Sequence, residues 1–107
     1  MKIIELVRYL KNVQEAEKFI DIEFPDLEYD LVDIYMINKI DPHSDIVFFD
    51  AEKIPNKLII DIEGVTYENL FPLNMVQDMV EELVNNNKKI SDLEIADFLL
   101  SYRKKDA

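Results

Sequence analysis

Apolar residues recur at every third or fourth position at both ends of this chain and gather into short, branched runs in its middle. The first spacing is that of a helix with one buried face, and the second that of strands in a core. Ile3, Leu6, Val7, Leu10 and Val13 form the first helical stripe, predicting a helix over about residues 2–11. Asn12 followed by Glu15 resembles a capping box, so a second helix either starts there and runs to about Ile20 or continues the first. Leu73, Val76, Val80, Leu83 and Val84 form a later stripe that ends at Asn85-Asn86-Asn87. Ser91 and Glu94 make a second capping box with Ile90 and Ile95 as its staple, and Ile95, Phe98, Leu99 and Tyr102 are the expected buried face. Arg103, Lys104 and Lys105 then fall at a helix C-terminus, where the dipole favours cations.

Residues 45–50, 57–62 and 65–69 read as strands, the last two joined by a tight turn at Glu63-Gly64 that needs positive φ. Residues 25–37 fit two patterns. As a helix, Leu27, Leu31, Ile34 and Tyr35 share a stripe that fails at Asn38. With period two, Asp26, Glu28 and Asp30 oppose Leu27, Tyr29 and Leu31, and residues 31–37 become a buried strand. The strand is favoured. The expected fold class is α+β: one domain over 1–107, with a small, mostly antiparallel sheet of three or four strands (31–37, 45–50, 57–62, 65–69) packed against N-terminal and C-terminal helices. Pro25, Pro42, Pro55, Pro72 and Gly64 are the only punctuation, and no linker divides the chain. A chain of 107 residues with 49% apolar content buries roughly two-thirds of its unfolded surface without a disulfide or metal.

Chemistry is constrained by what is missing. A single glycine excludes the usual phosphate-binding loops, whose backbone amides must approach an anion closely. No cysteine is present, so thiolate ligands and disulfides are absent. Among the serines, Ser91 is a cap, Ser101 lies in the last helix, and Ser44 adjoins His43 on an extended stretch that turns neighbours to opposite faces. An EF-hand starting at Asp26 would need glycine at Leu31 and glutamate at Ile37. Glycosidase chemistry needs two carboxylates across a cleft, and 23 acids supply such pairs by chance. Asp41, His43 and Asp45 share one side of an extended stretch and could ligate a divalent metal; a polar connection with Pro42 and Ser44 as turn formers is the favoured reading. Phe48, Phe49, Phe71, Phe98 and Tyr102 lie on apolar stripes or element boundaries, so core packing is expected rather than base stacking. The expectation is a non-enzymatic protein without cofactor or metal.

Charge points to partners. Residues 15–68 hold fifteen acids and four bases, a net of -11, and the rest of the chain is balanced at eight of each. Asp21, Glu23, Asp26, Glu28, Asp30 and Asp33 follow one another without a base. Such a field repels nucleic acid and anionic membrane and attracts basic protein. The bland alternative is a surface that serves solubility. No apolar run approaches the ~20 residues of a membrane span, and residues 1–10 lack the apolar core of a signal peptide, so a cytoplasmic location is expected. In size, acidity and lack of catalytic equipment the chain resembles the small immunity proteins that neutralise bacterial toxins, and nucleic-acid mimics such as anti-restriction proteins. The resemblance is one of profile, covers no motif and implies no residue roles. The expected function is neutralisation of a basic partner, such as a nuclease toxin domain, through Asp21, Glu23, Asp26, Glu28, Asp30 and Asp33 with Tyr29 as an anchor, joined by Asp41, Asp45 and Asp50. The alternative is an adaptor or subunit using an apolar surface that includes Met75 and Met79; a metal-dependent enzyme is the distant third.

Overall fold

A computed structural model describes residues 1–106. Two helices, α1 (Ile3–Val7) and α2 (Val13–Glu23), lead into a 3-10 turn at Tyr29–Leu31 and strand β1 (Val32–Ile37). Strands β2 (Ile46–Asp50), β3 (Ile59–Ile62) and β4 (Val65–Pro72) follow, then helices α3 (Leu73–Asn86) and α4 (Asp92–Asp106). The four strands form one antiparallel sheet in the order β2-β1-β4-β3. The α+β architecture expected from the two periodicities is the one observed.

The first helical stripe belongs to two helices. Asn12 Oδ1 accepts the Glu15 amide at 2.9 Å and starts α2 afresh. Leu10, at the break, is fully buried, and its carbonyl accepts from Gln77 Nε2 at 3.2 Å. That bond satisfies a buried carbonyl between the helices and ties the α1–α2 joint to α3. Between residues 25 and 37 the strand reading holds from Val32, while Leu31 lies in the 3-10 turn. Val32, Ile34 and Met36 join the helices in the main core. Tyr35, on the opposite face, is only 1% exposed. A central strand covered on both sides explains its nearly continuous apolar run.

Residues 51–58 join the opposite edge strands β2 and β3, and Asn56, Lys57 and Leu58 lie beside Asp33 and Tyr35 on the sheet face away from the main core. Tyr35 donates its hydroxyl to the Lys57 carbonyl at 3.1 Å, and its ring meets Phe49 edge-on at 5.4 Å. The β3–β4 hairpin turns on Glu63 (φ 51°) and Gly64 (φ 82°), the paired positive φ of a two-residue turn that matches strand twist.

The C-terminal helix departs from expectation. Ile95 and Leu99 are buried, but Phe98 and Tyr102 are 43% and 42% exposed, and Ala96, Leu100 and Arg103 take their place. The cause lies in β4. Its register with β1 shifts between Ile34 and Tyr35, whose partners are Phe71 and Asn69, leaving Leu70 extra. The Asn69 carbonyl at this irregularity accepts Arg103 Nε at 2.9 Å, and Arg103 Nη2 lies 3.7 Å from Glu68 Oε2. Arg103 is therefore a buried cation serving the sheet, not a residue placed for the helix dipole. Drawing it inward turns Phe98 and Tyr102 toward solvent. The capping box ahead of this helix forms as expected, with Ser91 Oγ and Glu94 Oε1 each accepting the other's amide at 3.1 Å.

Candidate protein-binding surface

Helix α2 ends where Phe24 meets Pro25, since the residue before proline is driven from helical geometry. Two turns follow, with the Leu27 amide donating to the Phe24 carbonyl and the Leu31 amide to the Glu28 carbonyl, both at 2.9 Å. Phe24, Leu27 and Tyr29 pack against the core. Alternation with these anchors drives Asp26, Glu28 and Asp30 outward, and all three are exposed. Asp21 and Glu23 are exposed in the last turn of α2, which carries no base, so they stand where the helix dipole disfavours anions. Among the described residues, no side-chain or N-terminal cation lies within 4.0 Å of any of these five carboxylates.

Tyr29 shows what else is gathered here. Its hydroxyl is buried with no hydrogen-bond partner among the described residues. The phenol is pushed up to about 12, first by burial and then by the carboxylates of Glu17, Asp78, Asp30 and Glu81. These come from α2, the 3-10 turn and α3, because the turn is wedged between the two helices. Glu81 accepts from Gln77 Nε2 at 3.1 Å, and Glu17, Asp78 and Glu81 also have no cation within 4.0 Å. Tyr29 thus underlies the surface and acts by position, with its hydroxyl out of reach of a partner.

The other acids proposed from sequence do not join this group. Asp33 faces the far side of the sheet, as strand geometry requires. It is half-buried beside Tyr35 and Asn69, in a hollow of about 310 Å³, and its Oδ1 has no hydrogen-bond partner among the described residues. Burial raises its carboxyl above the usual value, opposed by the Asn69 side chain. Asp45 accepts Lys2 Nζ at 2.7 Å and lies 3.8 Å from the Met1 amine, and the Lys2 hydrogen bond holds its carboxyl below the usual value. Asp41 accepts the His43 amide at 2.9 Å and lies 3.9 Å from Lys39; it too is lowered, first by that amide. Asp50 accepts the Glu52 amide at 2.9 Å and lies 4.0 Å from Lys53. The Asp41, His43 and Asp45 stretch lines a shallow hollow, but its Asp45 is held by Lys2, and the described residues contain no group of three ligands able to hold a metal ion.

Glu17, Asp78 and Glu81 escaped the sequence reading. Glu17 lies one turn before Asp21 and so on the same side of α2, a signal that was legible. Asp78 and Glu81 were hidden by summation, because the chain outside residues 15–68 is neutral overall. Its bases lie elsewhere: Arg103 is buried at Glu68, and Lys104 stands near enough to Asp41 to help lower it.

A second surface adjoins the first. The polar arc of α3 runs from Glu81 through Asp78 and Glu82 to Met75 and Met79, positions set by its period of about 3.6 residues. Met75 and Met79 line a groove of about 350 Å³ together with Glu82, Leu83, Phe98 and Tyr102 of α3 and α4. Phe98 and Tyr102 stack with ring centroids 6.1 Å apart.

No protein-family model, curated protein or solved structure matches the chain. No helix among the described residues is long and apolar enough to cross a membrane. Function is therefore inferred from surface chemistry.

Proposed function

We propose that this chain is a non-enzymatic binding protein of toxin-immunity type that neutralises a basic partner, such as a nuclease toxin domain, by covering its cationic cleft. The contact surface is formed by Asp21, Glu23, Asp26, Glu28 and Asp30 with Glu17, Asp78 and Glu81. One observation carries this reading: Glu17 of α2, Asp30 of the 3-10 turn and, from the distant α3, Asp78 and Glu81 converge around Tyr29, and among the described residues no cation comes within 4.0 Å of them. Like charges left uncompensated on a compact body repel one another and cost stability. Asp21 and Glu23 oppose the α2 dipole as well. Local choices that work against the fold concentrate where a protein binds. A patch of this kind steers a cationic surface into contact and fixes its orientation.

The test is co-purification from the native host, comparing the wild type with a variant carrying Asp21→Asn, Asp26→Asn, Glu28→Gln and Asp30→Asn. The wild type is expected to retain a basic protein at low salt and release it as salt rises. The variant is expected to retain none while melting no lower than the wild type. Equal retention by both proteins overturns the proposal.

A further inference from the structure

We infer that the groove between α3 and α4 receives an amphipathic helix of the same basic partner, its apolar residues seated on Met75, Met79, Phe98 and Tyr102 and its Lys or Arg residues along the acidic rim. The inference rests on the binding reading above and specifies the partner's chemistry. Three observations lead to it.

The groove is apolar where it need not be. Phe98 and Tyr102 are held toward solvent by the inward demand of Arg103, yet the chain keeps two aromatic rings there. Opposite them stand two methionines, whose flexible thioethers adapt to varied apolar surfaces. Met79 also packs against the core and the Tyr102 ring lies 5.9 Å from that of Phe71, but the exposed Met75 and Phe98 would be polar on a surface needed only for solubility.

The rim has the charge that selects the occupant. Glu82 lines the groove, Asp78 lies one turn before it, and neither has a cation within 4.0 Å among the described residues. Asp78 also belongs to the carboxylates around Tyr29. The groove and the anionic surface therefore meet along one helix, and a single basic ligand can engage both. A second copy of this acidic chain would meet like charge, which disfavours it as the occupant.

The dimensions suit a helix. From Met75 to Asn86 the wall rises roughly 16 Å at about 1.5 Å per residue, the length of about three turns of a partner helix. Apolar anchors at i, i+3, i+4 and i+7 with flanking cations are the ligand pattern such a groove reads.

The test uses the full chain with a fluorescein-labelled amphipathic Leu/Lys peptide and a scrambled peptide of the same composition. Anisotropy is expected to show the amphipathic peptide binding about tenfold tighter than the scrambled one, and Phe98→Ala with Met79→Ala is expected to remove that difference. Glu82→Lys, an exposed substitution that leaves the apolar wall intact, is expected to weaken the amphipathic peptide about tenfold. Backbone amide shifts of the labelled chain are expected to map to α3 and α4. Equal binding of both peptides, or wild-type affinity in the Phe98/Met79 variant, overturns the inference. If the groove variants bind normally while neutralising Asp21, Asp26, Glu28 and Asp30 abolishes binding, the groove is wrong and the anionic surface stands. If the groove variants abolish binding while that neutralisation has no effect, the groove stands and the anionic reading is wrong.

Discussion

Asp21, Glu23, Asp26, Glu28 and Asp30 have no cation within 4.0 Å among the described residues, whereas Asp41, Asp45 and Asp50 each have one. Along the chain the two groups look alike, as carboxylates in a segment with few bases. In space they differ: Asp41 and Asp50 keep the local lysines Lys39 and Lys53, and Lys2 reaches Asp45 across forty-three positions. The anionic surface likewise gains Asp78 and Glu81 from α3, which no local window includes. A count of charge along a segment gives no electrostatic potential until the fold has assigned neighbours.

The largest expected effect breaks this contrast directly. Neutralising Asp21, Asp26, Glu28 and Asp30 together should weaken partner binding at least about 100-fold, as removal of a hot-spot cluster does, and should raise the melting temperature by easing repulsion and the opposed helix dipole. Neutralising Asp41, Asp45 and Asp50 should leave binding within about threefold and lower the melting temperature. Titration calorimetry and scanning calorimetry on both variants check this.

Next in size is the buried cation Arg103. Arg103→Met should cost about 3 kcal/mol in chemical denaturation, since it strands the Asn69 carbonyl and Glu68. The exposed neighbour Lys104→Met should stay within about 0.5 kcal/mol. Comparable losses would mean that Arg103 is not the internal cation described.

A smaller pair of effects has opposite signs. The Asp45 carboxyl is lowered by Lys2, so its contribution is present above the ordinary value of 3.8 and fades as pH falls through the lower folded value. Lys2→Ala should therefore lower the melting temperature near neutral pH and have little effect in strong acid. The Asp33 carboxyl is raised by burial, so its favourable contribution is present below 3.8 and is lost as pH rises through the higher folded value. Asp33→Asn should raise the melting temperature near neutral pH by about 1–3 °C and change nothing in strong acid. Melting curves across a pH series distinguish the two.

The smallest effect is expected at Tyr29. Removing its unpartnered hydroxyl in Tyr29→Phe should be neutral or stabilising by up to about 1 kcal/mol, with partner binding retained. A large loss of binding would make the hydroxyl a contact group.

Most of the fold was legible because periodicity and turn chemistry are local. The Asn12 and Ser91 caps, the positive φ at Gly64 and the strand character of residues 32–37 all follow from neighbours in sequence. Phe98, Tyr102 and Arg103 were misread because a shift in β4 register decides which side of α4 turns inward, and that irregularity has no signature in α4 itself. At the candidate site the outward set of Asp26, Glu28 and Asp30 was visible from alternation with Leu27 and Tyr29. The contribution of α3, the internal pairing of Asp45 and the separation of Asp33 depend on tertiary placement.

The salt dependence of affinity for the basic partner, measured by calorimetry on the wild type and on the variant lacking charge at Asp21, Asp26, Glu28 and Asp30, bears most directly on the uncompensated surface. The expected result is a wild-type affinity that falls steeply as ionic strength rises, with the slope nearly gone in the variant. An affinity that ignores salt and is shared by both proteins would contradict it.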